Sequence, residues 1–415
     1  MLSDRVLVLG DDVRAFLGVV RSLGRRGLEV HVAPTDTESP ALASSYIATI
    51  HILPAYALGA QAWEAALRQL VTTFDYQMII PCSDATLIQL HHHRSAIGEG
   101  RLALPNAEAF AVFTSKTRTR QVAASLSVPV AAGQGLCADD RAEPLVRRYG
   151  LPLFLKPAQS YRVGDSSDKR KVEMIRDAGT LERALSAGAW RDSLVEAYFA
   201  GEGVGVSVLA KEGRIVQTYQ HRRLRQFTET GVSTSRVSET VDPDLFGHVE
   251  RLAEATALGG VAMFEFKRDP ITGKHVLLEV NPRFWGSLPL AIAAGADFPA
   301  MLSDQRRGIA ISPRDYRLGV VKRDLGGEYE RRVIKSETAG SSLARLLWSI
   351  SALVTPWTLK RSEADSWAAD DPAPYDAELQ ELATRIREAL AKRLRMRSRR
   401  IENSATPPAA HLRSA

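Results

Sequence analysis

Residues 261–287 read VAMFEFKRDPITGKHVLLEVNPRFWGS. Two apolar runs, Ala262–Lys267 and His275–Val280, flank Asp269-Pro270-Ile271-Thr272-Gly273-Lys274, a turn-forming composition, so the stretch predicts a β-hairpin. The two-residue period of a strand puts Glu279, Asn281 and Arg283 on one face, and Glu265 on a common face with Lys267. A hairpin symmetric about Thr272 sets Glu265 opposite Glu279. Opposed carboxylates repel unless something positive lies between them. A hard cation such as Mg²⁺ takes one or two carboxylates and an amide oxygen and leaves positions for phosphate oxygens. Glu265, Glu279 and Asn281 supply that set, and Arg283 is placed to meet a phosphate or carboxylate. The alternative pairs the two acids with Lys267 and Arg283 on a solvated face. The residues alone leave both readings open.

Working outward, the start of the chain predicts a βαβ unit: strand Val6–Leu9, helix Arg14–Arg26 with Phe16, Val19, Val20 and Leu23 on one side, a stop at Gly27, and strand Leu28–Val32. The turn Gly10-Asp11-Asp12-Val13-Arg14-Ala15 lacks the second and third glycines of a dinucleotide fingerprint, and its adjacent acids would repel a pyrophosphate. It reads as an α/β scaffold rather than a dinucleotide site. A helix at Trp63–Phe74 and a strand at Met78–Pro81 continue the alternation to about residue 110. Strands follow at Leu153–Leu155, Ser193–Val195, Val204–Leu209 and Ile215–Tyr219, then a helix at Phe246–Leu258. Beyond Asp304 the pattern weakens to an amphipathic helix at Leu343–Leu353 and a charged helix at Asp376–Leu394. There is no internal repeat.

The chain has 415 residues, with 54 Lys and Arg against 48 Asp and Glu. Six bases and no acid fall between Ala389 and Ile401 (Lys392, Arg393, Arg395, Arg397, Arg399, Arg400), which equals the whole net charge of +6. A formally neutral body argues against a chain-wide nucleic-acid surface. Cys82 and Cys137 make no CxxC pair, and neither a signal peptide nor a bilayer-spanning apolar run is present, so a soluble cytoplasmic protein is expected. His91, His92 and His93 would point about 100° apart on a helix and cannot share one ion. Ser83-Asp84 and the cysteines lack the partners a nucleophile requires.

The hairpin string resembles the metal-binding end of the ATP-grasp superfamily, in its carboxylate–amine ligase type with a carbamoyl-phosphate-synthase/biotin-carboxylase-like domain. Other landmarks follow in the same order: Ser115-Lys116 opening a helix, Leu155-Lys156-Pro157 ending a strand, and the hinge-like Leu194-Val195-Glu196-Ala197-Tyr198-Phe199-Ala200-Gly201-Glu202-Gly203. The likeness spans roughly residues 5–305. It implies an α/β and α+β architecture: a Rossmann-like pre-ATP-grasp domain (1–112), an ATP-grasp domain (113–310, divided into 113–195 and 196–310), and a helical C-terminal extension (311–415).

Each matched position carries an implied role. Lys116 and Lys156 would hold the α- and β-phosphates of ATP, as compact ammonium charges can. Glu196, with the backbone of Ala197 and Phe199, would read the adenine edge. Similar proteins place a ribose-binding carboxylate where this chain has Gly203, which leaves Glu202, one residue away, as the ribose candidate. Glu265, Glu279 and Asn281 would bind Mg²⁺ or Mn²⁺, and Arg283 the reacting anion. Arg223, which shares a strand face with Arg225, either forks onto the substrate carboxylate or belongs to a basic solvated edge. The loop Ala158–Ser167 is expected to act as a lid, and Thr230–Thr234 to bring backbone N–H groups near the substrate.

The implied reaction is ATP-dependent joining of a small-molecule carboxylate to an amine or other nucleophile through an acyl phosphate. A carboxylase, a kinase-like enzyme and a non-catalytic ATP-binding scaffold stand as alternatives. A homodimer through the N-terminal domain is common among similar proteins. The basic tail is expected to be a solvated, disordered end, with contact to an anionic membrane surface or an acidic partner as the other readings.

Overall fold

The computed structural model describes residues 4–56, 60–159, 161, 170–188, 190, 192–227, 232–354 and 360–405. Strands β1 (Arg5–Leu9), β2 (Glu29–Ala33), β3 (Ile47–Ile50) and β4 (Met78–Pro81) form a parallel sheet ordered β3-β2-β1-β4. Its strands β1 and β4 read as near-continuous apolar runs because both faces are covered. Phe16, Val19, Val20 and Leu23 of the helix Ala15–Arg25 cover one face, and Trp63, Leu67 and Leu90 cover the other. The two acids after β1 are structural. The Asp12 carboxylate accepts from the N–H groups of Arg14 (2.9 Å) and Ala15 (2.7 Å), capping the helix, while Asp11 accepts from those of Thr35 (3.0 Å) and Asp36 (2.8 Å).

Strands β5 (Gly133–Gly135), β6 (Leu153–Pro157), β7 (Glu173–Ile175) and β8 (Ser193–Ala197) make a small antiparallel sheet ordered β5-β8-β6-β7. The third sheet contains β9 (Glu202–Lys211), β10 (Arg214–Gln226), β11 (Ser233–Glu239), β12 (Gly260–Arg268), β13 (His275–Asn281) and β14 (Val321–Arg323), ordered β13-β12-β9-β10-β11-β14. The hairpin has the expected register, Glu265 opposite Glu279, with a one-residue slip beyond it that pairs Phe266 with Leu277. The helix expected at Phe246–Leu258 spans Pro243–Ala255, because Asp242 caps it and Pro243 fits its first turn.

The C-terminal third departs most from expectation. Strand β14 pairs with β11, so the large sheet continues past the boundary expected at residue 310. A helix at Leu325–Thr338, capped by Asp324, has no counterpart in the sequence reading. The helices Ser342–Leu353 and Ala373–Ala405 follow, and the second carries the basic tail as helix through Ala405 rather than as a disordered end. Trp285, Leu288 and Phe298, which follow the hairpin, pack into one core with Phe16, Val20 and Leu23. That shared core brings the rim of the parallel sheet up to the end of β13. Among the described residues no helix is long and apolar enough to cross a membrane.

Candidate active site

Two cavities meet between the three sheets. The smaller, about 200 Å³, is lined by Lys116, Lys156, Glu196, Ala197, Phe199, Arg223, Glu265 and Glu279, with Phe154, Tyr198 and Leu278 among its apolar walls. The larger, about 710 Å³, runs from Asp12, Arg14 and Asp84 on the parallel-sheet rim to Asn281 and Arg283. Lys116, Val172, Glu265 and Glu279 form the wall common to both.

Lys116 is the first residue of the helix Lys116–Ser125, whose cap is the Ser115 hydroxyl accepting from the Arg118 N–H at 3.3 Å. Its own N–H donates to the Ala158 carbonyl at 2.8 Å, tying the helix to the end of β6. The Lys116 ammonium lies 3.7 Å from Glu279. Lys156 on β6 is buried and ion-paired with Glu196 on the neighbouring β8. Arg120 also reaches Glu196, at 3.2 Å, and donates to the carbonyls of Ala131 (2.6 Å) and Gly133 (3.1 Å). The Ala197 N–H donates to the Ala132 carbonyl at 2.7 Å, so that group, expected to face a base, is taken up by the chain itself.

Glu265 and Glu279 behave as a pair. Burial pushes the Glu265 carboxyl above the usual range; Arg223, in contact with it, pulls the other way, and Glu279 adds to the rise. Glu279 is also penalised by burial, but Lys116, Lys156 and the Asn281 amide (3.4 Å) outweigh it and hold its carboxyl below the usual range. Two facing carboxylates, one resisting ionisation and one held ionised, accommodate a cation between them. With the Asn281 amide oxygen they form a hard oxygen-donor set suited to Mg²⁺ or Mn²⁺. No cluster of three His, Cys, Asp or Glu capable of holding a metal occurs among the described residues.

Arg283 fixes that amide. Its guanidinium donates to Asp84 (2.6 Å), to Asn281 Oδ1 (3.0 Å) and to the Phe284 carbonyl (2.8 Å). Burial opposes its charge, yet Asp84 more than compensates and raises its pKa further.

The Arg223/Arg225 pair separates at an irregularity in the β10–β11 pairing. Arg223 turns to Glu265 in the cavity, whereas Arg225 lies 3.5 Å from Glu328 of the C-terminal extension. Gly203 makes room for Arg223, since a Cβ there would sit 2.5 Å from the Arg223 Cδ. Glu202 lines neither cavity; it pairs with Arg268 (2.8 Å) and Arg222 (3.5 Å). The expected lid Ala158–Ser167 lies outside the described residues except for Ala158, Gln159 and Tyr161, as do Thr230 and Gly231. Val232, of the same stretch, lines the larger cavity, while the Thr234 side chain is buried and donates to Glu328 at 2.6 Å. Arg120 carries no signal in the local sequence, and Asp84, weighed there only as part of a nucleophile, serves instead as the partner of Arg283; Lys267 lines the smaller cavity and donates to the Gly201 carbonyl at 2.8 Å.

A family model described as "ATP-grasp in the biosynthetic pathway with Ter operon" matches residues 189–322, the span holding the hinge, Arg223 and the hairpin. The chain has an ATP-grasp fold. The same ATP-grasp architecture occurs in the L-amino acid ligase of Bacillus licheniformis, with a TM-score of 0.57 and 14% identity over 74% of this chain and 74% of that one. It also occurs in the N5-carboxyaminoimidazole synthetase of Staphylococcus aureus complexed with ADP, at TM-score 0.59 and 13% identity over 77% and 82%. A third example is the biotin carboxylase domain of the Hydrogenobacter thermophilus 2-oxoglutarate carboxylase in complex with MgADP and bicarbonate, at TM-score 0.60 and 17% identity over 77% and 74%. No curated protein sequence matches the chain significantly.

Proposed function

We propose that this chain is an ATP-dependent ligase that joins a small-molecule carboxylate to an amine, or to another nucleophile, through an acyl phosphate, releasing ADP and phosphate. The observation that carries the reading is the common wall: Lys116, Glu265 and Glu279 face a smaller cavity on one side and, on the other, a roomier one that also holds Asp84, Asn281 and Arg283. A γ-phosphate at that wall would be within reach of an acid in the second cavity.

The ATP base would enter between Phe154, Tyr198 and Phe199, and Lys116 and Lys156 would meet the phosphates. Lys156 would then exchange some of its contact with Glu196 for phosphate, leaving Arg120 to keep that carboxylate paired. Glu265, Glu279 and Asn281 would hold a divalent cation, which would neutralise charge on the triphosphate. Arg283 in the larger cavity and Arg223, paired with Glu265, in the smaller one provide fixed positive charge on the two sides of the common wall. The acid's oxygen attacks the γ-phosphorus and ADP leaves; the amine then attacks the acyl carbon, phosphate leaves, and the ammonium proton passes to solvent or phosphate. Positioning and fixed charge account for this chemistry without a side-chain nucleophile.

Incubation with ATP, Mg²⁺, hydroxylamine and pooled carboxylates is expected to yield a hydroxamate and ADP. Release of AMP in place of ADP would overturn the acyl-phosphate route. A bicarbonate-using carboxylase is the second reading, favoured by the likeness to the biotin carboxylase domain. The 710 Å³ second cavity is far larger than a three-oxygen anion requires, which favours an organic acid.

A further inference from the structure

The helix Ser342–Leu353 has no role in the site, yet it presents an uncovered apolar face. Leu343, Leu346, Leu347, Ile350 and Val354 are 66%, 56%, 57%, 49% and 38% exposed. They recur at the spacing that lines one side of a helix. The opposite side is anchored: Ala352 and Leu353 pack with Leu325 and Tyr329, and Arg332 donates to the Ser351 carbonyl at 3.1 Å. The stripe is therefore a fixed surface rather than a frayed end.

Bases lie beside it, two of them, Lys360 and Arg361, paired with Glu363 (3.7 Å) and Asp376 (3.4 Å). Arg345 lies on the same helix, and Lys360 and Arg361 follow it, all exposed. Leu382 and Ile386 of the long helix Ala373–Ala405 join the same small core, so that helix starts from the same layer. Its last turns carry the six bases between Ala389 and Ile401, with no acid among them. At 1.5 Å per residue the helix carries these charges about 20 Å beyond Ile386.

We infer that this C-terminal layer is a docking surface for an anionic lipid bilayer. The stripe is wholly aliphatic and offers no polar group to set the register of a protein partner, which suits a fluid apolar phase. Basic residues attract anionic headgroups, and one apolar helix with a polybasic segment is the two-signal combination that gives stable yet reversible attachment. Since no described helix can cross a membrane, the helix would lie in the interface.

The test is flotation of the full-length protein with phosphatidylcholine vesicles, with and without about a quarter of phosphatidylglycerol. The protein should float with the anionic vesicles only, and salt at about 0.5 M should release it. L346Q/L347Q and K392E/R395E/R399E should each lower the bound fraction about tenfold while ATP turnover stays unchanged. Absence of binding to anionic vesicles at low salt would overturn the inference, as would binding indifferent to both variants. Sedimentation showing a dimer that L346Q/L347Q dissociates would assign the stripe to a second copy of the chain and equally overturn it.

Discussion

At the scale of single residues, Glu265 and Glu279, the acids of the candidate site, sit in different environments. One is pushed toward its neutral form by burial, while the other is held ionised by Lys116 and Lys156. Glu279→Gln keeps the shape and removes the charge that a divalent cation needs. It should reduce ADP release by about a hundredfold or more while circular dichroism and melting stay near those of the parent. Unchanged ADP release would remove Glu279 from the metal site. The opposition of these two acids was legible in the sequence because one hairpin carries both. The pairing of Arg283 with Asp84 was not, since 199 residues separate them and nothing in either local pattern points to the other.

At the scale of elements, short range again decides what can be read. The β12–β13 hairpin and the first βα unit announce themselves through turn residues and periodicity. A three-residue strand such as β14 has too few positions to show a period, and only its neighbour β11 makes it a strand. The C-terminal helix also hides a buried acid. Burial pushes the Glu378 carboxyl up to about 8; the Ser366 hydroxyl opposes the rise, and Asp324 and Asp365 add to it. A carboxyl raised in the folded state binds its proton more tightly there than in the unfolded chain. Its stabilising contribution is complete at pH below its ordinary range, near 4.5, and is lost as pH rises through about 8. Glu378→Gln should therefore raise the melting temperature at pH 9 far more than at pH 4. Equal shifts at both pH values would show that this carboxyl does not titrate on unfolding.

At the scale of the molecule, the C-terminal extension is built into the rest by buried charge. Arg21 of the first helix meets Asp371 at 2.8 Å, and Asp371 also accepts from Ser44 (2.7 Å) and the Ser45 N–H (2.8 Å). Arg236 on β11 holds Asp365 in the same way, both almost wholly buried. Removing one partner of a buried pair leaves the other desolvated and uncompensated. Asp371→Ala should cost about 3–5 kcal/mol in urea unfolding, and an apolar double replacement of Arg21 and Asp371 should recover much of it. A cost below about 1 kcal/mol would mean that this pair does not hold the extension in place.

By itself the sequence determined the hairpin with its opposed Glu265 and Glu279, the βαβ start of the chain and the concentration of net charge in the tail. These rest on turn composition, two-residue and helical periodicity, and charge counting, all properties of neighbours along the chain. Only the tertiary structure decided that Arg223 and Arg225 part company, that Glu202 belongs to an arginine cluster, and that the Arg223 side chain packs against Gly203. It alone showed that Val321–Arg323 complete the large sheet and that Asp370 and Asp371 hold the first helix. Those outcomes depend on which side chains meet across sheets and on which buried charges find partners, and long-range packing settles both.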